Sequence, residues 1–363
     1  MKGSIHLVKS VNDWKVEQTS RQLIFSFDEG RLSGTSVHDS SLLTYDDMIS
    51  AEPVFAAWEL FRRAKRSRRD VLEFERHLEE NLFELRADLA DRRYRHGAYV
   101  PFQICDPKQR QIHKATVRDR IVHQLVVSFV EPLFERQFIY DSFSCRKSKG
   151  THAAVTRLGV LLGRASNNNT RTVYALKCDV RKFFASIDHA ILRDQLSSRI
   201  DDPDILRLLS NIIDSHGASA GKGMPLGNLT SQLIANIYLH ELDWFMKHTL
   251  RQKHYIRYCD DFIILGLNRD ALLSLVPKIA DFIQARLKLA LHPHKVTVRS
   301  WSQGIDFLGY VVKPHNTVLR GKTKQRMVDR VNRNNLTSYL GLCSHANSYH
   351  LSNTIMMKAL TDS

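Results

Sequence analysis

Cysteine is scarce. The 363-residue chain has five, at positions 105, 145, 178, 259 and 343. They form no CxxC pair and their number is odd, which excludes a cysteine-built zinc cage and a disulfide framework and leaves reduced thiols. Long apolar runs are missing too. No stretch approaches the roughly 18 apolar residues that cross a bilayer, and the opening MKGSIHLVKSVNDWKVEQ has no apolar signal core. The expectation is a soluble, cytoplasmic chain with no membrane partner. There is no internal repeat and no low-complexity segment.

Negative charge is also in deficit. Lys and Arg number 53 against 38 Asp and Glu, a formal net charge of +15. Such an excess points to a polyanionic partner rather than to a merely basic, soluble surface. With 43% hydrophobic and 25% charged residues the composition is that of a globular protein. The chain is too long for one compact core, so two or three subdomains are expected.

Residues 1–48 are weakly patterned, with one strand candidate, RQLIFSF (21–27), and read as an extension. In DVLEFERHLEENLFELRADLADRRY (70–94), Val71, Phe74, Leu78, Leu82, Leu85 and Leu89 recur every three or four residues. That spacing predicts one helical stripe, with Asp70 as its N-cap. The preceding RRAKRSRR (62–69) carries six positive charges in eight residues, either a solvated helix face or a phosphate contact. Residues 99–135 read as two short strands flanking a basic loop, then an amphipathic helix. TVYALKCD reads as a strand, residues 203–216 as a helix, GASAGKGMPLG (217–227) as a Gly-rich loop, 228–250 as a long helix, 271–289 as helical and 296–314 as two strands.

Two stretches set carboxylates against apolar sequence. YIRYCDDFIILG (255–266) holds the adjacent Asp260 and Asp261, and ALKCDVRKFF ends an apolar strand on Asp179. A desolvated carboxylate is costly, and a like charge beside it adds repulsion. A hairpin turn would account for Asp260 and Asp261, and an N-cap for Asp179. Pairing of the two strands, about 80 residues apart, would instead bring all three together. Carboxylate clusters of that kind hold Mg²⁺, which keeps waters and takes substrate phosphates as further ligands.

These motifs resemble those of reverse transcriptases. RYCDDFIIL resembles the family's Y-x-D-D hairpin, LKCDVRKFFASIDH its first palm motif and GMPLGNLTSQLIANIYLHELD the next. LHPHKV (291–296) and IDFLGYVV (305–312) resemble the later palm motif and the primer grip. DPKQRQIHKATVRDRIVHQ and DSFSCRKSKGTHAAV look like fingers motifs. The resemblance runs over residues 50–350. It implies an α+β right-hand polymerase fold: an extension at 1–48, a helical region and fingers at 49–165, a palm of antiparallel sheet and helices at 166–312, and a short basic helical thumb at 313–363. The form LGNLTSQ, with Gln232 where many intron and retroviral enzymes carry proline, looks like the enzymes of diversity-generating retroelements and related bacterial lineages.

The resemblance also implies roles. Asp179, Asp260 and Asp261 would be catalytic and, with the Val180 carbonyl, hold two Mg²⁺ ions, with Mn²⁺ as a substitute. Lys295 would protonate leaving pyrophosphate. Phe184 would be the steric gate that favours dNTPs. Lys108, Arg110 and Arg146, with Lys114 and Arg118 as further candidates, would grip the triphosphate. Gly227, Ser231 and Gln232 would line the nucleotide and template site, and Phe307, Leu308 and Gly309 would form the primer grip. The implied partners are an RNA template, expected to be a dedicated noncoding RNA, a DNA or RNA primer, dNTPs, and an accessory protein or a second copy of the chain. The role would be cDNA synthesis in a diversity-generating retroelement or in antiviral defence. An intron-type retrohoming enzyme is disfavoured by the absence of a maturase or nuclease segment after residue 363. The other readings are a catalytically silent RNA-binding scaffold of polymerase fold and an acid-dyad hydrolase, which leaves the basic fingers unexplained.

Overall fold

The computed structural model describes residues 44–105, 109–216 and 221–361. Most of the expected extension, with its strand candidate, lies outside the described residues, as do Lys108 and the first four positions of the Gly-rich loop.

Helices α1 (Tyr45–Met48), α2 (Ala51–Arg62), α3 (Arg69–Glu75) and α4 (Leu78–Ala90) come first. The single helix expected through 70–94 is thus two. His77 leaves helical geometry at φ −124°, ψ 44°, and Asn81 Nδ2 donates to the Phe74 carbonyl at 2.9 Å. Asp70 is not the N-cap, a position held by Arg68. Its carboxylate instead bonds Lys114 at 2.8 Å and Arg120.

Strands β1 (Val100–Ile104) and β2 (Arg110–Lys114) form an antiparallel hairpin ahead of α5 (Val117–Glu135) and α6 (Thr151–Ala165). Thr116 caps α5 by accepting from the Asp119 backbone N–H at 3.2 Å. Strand β3 (Tyr174–Asp179) is followed by α7 (Phe183–Ser186), α8 (His189–Ser197), α9 (Pro203–Asp214) and α10 (Leu229–Trp244). Helix α9 shows the local logic plainly. Asp202 caps it, Pro203 opens it, and Ile205, Leu208, Leu209, Ile212 and Ile213 bury one face. After a π-helical turn at Phe245–Thr249 come β4 (Tyr255–Tyr258), β5 (Asp261–Gly266), α11 (Arg269–Leu273) and α12 (Leu275–Leu287). Where two strands were expected over 296–314 there are three, β6 (Thr297–Ser300), β7 (Ile305–Phe307) and β8 (Tyr310–Val312). Strand β9 (Thr317–Leu319) then pairs with β8, so that sheet runs across residue 312. Helices α13 (Gly321–Arg330), α14 (Leu336–Cys343) and α15 (Tyr349–Thr361) close the described chain.

The central sheet is antiparallel in the order β4-β5-β3-β6, and β7-β8-β9 form a second sheet. Alternation along the central strands serves two cores. Leu176, Cys178, Phe262 and Ile264 face a core shared with α2, α5, α10 and α12. Ala175, Ile263 and Leu265 face a second core built with α6, the small sheet and the three C-terminal helices. Both faces of the sheet are therefore covered at its centre, and β5 is apolar from Phe262 to Leu265 for that reason, while the edge strand β6 is mostly polar and has no buried residue. Truncating Phe262, which is fully buried, to alanine would cost about 3–5 kcal/mol.

Candidate active site

The register of the central sheet decides where the carboxylates go. Asp179, the last residue of β3, stands opposite Asp261, the first of β5. Tyr258, the last of β4, also stands opposite Asp261. Only Cys259 and Asp260 remain for the turn, and Cys259 takes a left-handed φ of +53°, an uncommon choice for a residue with a Cβ. The Val180 backbone N–H donates to the Asp260 carbonyl at 3.1 Å. Asp179, Asp260 and Asp261 therefore meet at one end of the sheet, as the sequence led us to expect. The LHPHKV segment is fastened beside them: His292 N–H donates to the Asp179 carbonyl at 2.7 Å and Arg181 N–H to the Ala290 carbonyl at 2.8 Å. That brings Lys295 Nζ to 2.8 Å from Asp179 Oδ1.

The site is short of positive charge for what it holds. Burial, then the neighbouring Asp179, raises the Asp260 carboxyl above its ordinary value. Burial pushes Asp261 up to about 6, against the pull of Lys177. Lys177 Nζ lies 3.1 Å from Asp261 Oδ2, while Asp261 Oδ1 is buried with no hydrogen-bond partner. Among the described residues, no group of three or more His, Cys, Asp and Glu side chains is set as it stands to hold a metal ion. Mg²⁺ needs no such cage, since one or two carboxylates with waters and phosphates complete its shell. Two neighbouring carboxyls raised by burial, one of them with a buried oxygen that has no partner, are a donor set that such an ion fits.

The other expected residues divide. Phe184 is half-buried, with its ring 5.2 Å from that of Phe183 in an edge-on arrangement. Its carbonyl accepts from Met224 N–H at 2.8 Å, which ties it to the Gly-rich loop. Gly227 has φ +106°, and a Cβ there would stand 2.6 Å from Ile112 Cγ2; only glycine lets the loop approach β2 so closely. The contact is fixed by His113 N–H donating to the Leu226 carbonyl at 3.0 Å. At the start of α10, Gln232 is half-buried, and Ser231 Oγ is buried without a partner. Arg110 is exposed at the start of β2. Leu308 and Gly309 form the two-residue β7–β8 turn, at φ +51° and +90°.

Four of the expected residues are engaged with other parts of the chain. Arg146 is buried and committed elsewhere. Its guanidinium bonds both Glu135 oxygens and the Ile139 and Ser142 carbonyls at 2.7–3.0 Å, which ties the end of α5 to the segment that follows it. Lys114 pairs with Asp70 and Arg118 with Asp88. The Phe307 ring is fully buried in the second core, so only the turn beyond it is available to a primer.

Lys177 escaped the sequence reading, although a lone lysine within an apolar strand one turn of alternation from Asp179 was a usable signal. Arg257 and Asp243 escaped as well. They form an ion pair with no exposed surface directly behind the hairpin.

Three kinds of similarity to known proteins accompany this arrangement. Residues 106–312 match the family model described as reverse transcriptase (RNA-dependent DNA polymerase). Among curated proteins, YkfC of Escherichia coli K12 is 23% identical over 250 residues, covering 58% of this chain and 65% of that one. The group II intron-encoded protein LtrA of Lactococcus lactis is 22% identical over 293 residues, covering 61% and 48%. The chain thus spans less than two thirds of either relative. Among solved structures, apo telomerase from Candida tropicalis aligns with a TM-score of 0.49 and 12% identity, covering 68% of this chain and 52% of that one. The matched segment takes in Asp179, Asp260, Asp261 and Lys295 and more than half of the sequence, and the chain belongs to the reverse transcriptase (RNA-dependent DNA polymerase) family.

Proposed function

We propose that the chain is an RNA-directed DNA polymerase that extends a primer with dNTPs on an RNA template. The observation that carries this reading is the meeting of Asp179, Asp260 and Asp261 at one sheet end, with burial holding two of the carboxyls above their ordinary range. Two Mg²⁺ ions bound there would activate the primer 3′-hydroxyl and neutralise charge on the transferring phosphoryl group. Asp179 and Asp260 would be their principal ligands, joined by Asp261 and the Val180 carbonyl. Lys177 holds Asp261 in orientation. Lys295, within hydrogen-bond reach of Asp179, is the ammonium that meets the leaving pyrophosphate and gives it a proton. Phe184 crowds the sugar, and Arg110 meets the triphosphate from β2. The Leu308–Gly309 turn supports the primer. The template is a dedicated noncoding RNA, copied for diversification or for antiviral defence.

Primer extension on an RNA template with Mg²⁺ tests the reading. Asp260→Asn should abolish or nearly abolish synthesis, since a lost metal ligand removes transition-state stabilisation of several kcal/mol, while RNA binding and thermal stability are retained. Near-normal extension by the double variant Asp179→Asn, Asp260→Asn would overturn the metal assignment, and absence of extension by the wild-type protein would overturn the reading in favour of a silent scaffold.

A further inference from the structure

Asp260 is the corner of a two-residue turn, and its side chain is useful only if its backbone is fixed. The peptide that follows it is held by Val180 N–H on the Asp260 carbonyl, 3.1 Å. The peptide that precedes it carries the Cys259 carbonyl, and this accepts from Arg257 Nη1 at 3.1 Å. Both peptides flanking the Asp260 Cα are thus pinned, one by β3 and one by a side chain.

That side chain is locked in turn. Arg257 Nε donates to Asp243 Oδ1 at 2.7 Å and Nη2 to Asp243 Oδ2 at 2.5 Å. Tyr255 Oη donates to the same Oδ1 at 2.7 Å. Arg257 Nη1 also lies 3.4 Å from Asn236 Oδ1, and Asn236 Nδ2 donates to the Ser144 carbonyl at 2.8 Å. Strand β4, helix α10 and the chain around Ser144 therefore converge on one guanidinium with no exposed surface. A buried ion pair is weak evidence of stability, because apolar residues of similar volume often serve as well or better. What apolar residues cannot do is donate to the Cys259 carbonyl while Cys259 sits at a left-handed φ of +53°.

We infer that Arg257 and Asp243 are positioning residues of the polymerase site, a buried clamp that sets the Cys259–Asp260 peptide and through it the Asp260 carboxylate. The inference rests on the polymerase reading above for its effect on rate, but not for its effect on the hairpin.

Two variants test it. Arg257→Lys keeps the charge and loses the fork. The triple variant Tyr255→Phe, Asp243→Leu, Arg257→Met removes the network without leaving a buried charge unpaired. Each is measured by thermal unfolding, by hydrogen–deuterium exchange over residues 258–262, and by primer extension resolved into kcat and KM. The expected result is a folded protein with faster exchange in the hairpin. Its kcat should fall by about a hundredfold, the scale of an ångström-sized misplacement, and its KM for the nucleotide should be little changed. A folded triple variant with wild-type exchange and wild-type kcat overturns the clamp. If the triple variant does not fold, the same two outcomes for Arg257→Lys decide. If the wild-type protein extends no primer, the polymerase reading falls, and the exchange rates alone judge the clamp.

Discussion

At Asp261 burial and charge pull in opposite directions. Its folded value of about 6 lies above the ordinary carboxylate value, so the folded state holds this proton longer than the unfolded state does. Its contribution to stability is then largest at low pH and is lost as pH rises from about 4 to about 6. A divalent ion reverses the loss, because it binds the ionised form. The rise in thermal midpoint on adding Mg²⁺ should therefore be small near about pH 5 and complete above about pH 7, with Asp261→Asn flattening the dependence. An equal Mg²⁺ effect at both pH values would count against the ion at this carboxylate. Phe184 carries a second expectation at this scale. Phe184→Val removes ring volume and should raise ribonucleotide incorporation relative to deoxynucleotide in single-nucleotide assays. Unchanged discrimination would assign the ring to the core it packs against. The aspartates were legible because two charges inside apolar sequence demand a counter-charge. The fate of Arg146 was not, since nothing in a sequence says that a basic residue will find Glu135 eleven positions away before it finds a substrate.

Among the elements, α5 joins the helical region to the hairpin of β1 and β2, and it does so through buried polar groups. His123 on α5 faces His96, with their Nε2 atoms 3.0 Å apart. One ring must donate and the other accept, so both cannot be protonated. Burial, then His96, pushes His123 down to about 3 from an ordinary 6.5. The unfolded chain takes up this proton near 6.5 and the folded one does not, so stability is lost as pH falls between those values. The slope is at most about 1.4 kcal/mol per pH unit for one proton. The urea midpoint should fall from about pH 7 to pH 5, and more gently in His123→Asn; parallel curves would show that this ring is not responsible. Most elements could be read from apolar spacing, including β3, α5 and α9. The break between α3 and α4 could not, because leucines continue across it in register and only the backbone at His77 departs. The third strand at 297–312 was hidden by a short 3₁₀ turn at Trp301–Gln303.

For the whole molecule, the net charge of +15 is the quantity that a nucleic-acid partner would sense. In the basic run, Arg62 is engaged with Glu59 and Glu75, while Arg63, Arg66 and Arg69 are exposed. Their joint replacement by glutamine should lower the salt slope of RNA binding by about 0.7 per lost phosphate contact and leave the carboxylate end of the sheet intact. Purification from the native host followed by RNA sequencing should recover one dominant RNA. A diffuse mixture, with full activity on any primed template, would remove the dedicated-RNA part of the proposal. The second core adds a constraint of another kind. Ile355 and Ala359 of α15 are buried in the same core as Ile256 and Ile263, which flank the Cys259–Asp260 turn, although the family match ends at residue 312. On the ribosome, the core on this sheet face stays incomplete until α15 has emerged, so the matched segment is synthesised well before it has all the surroundings that it folds against.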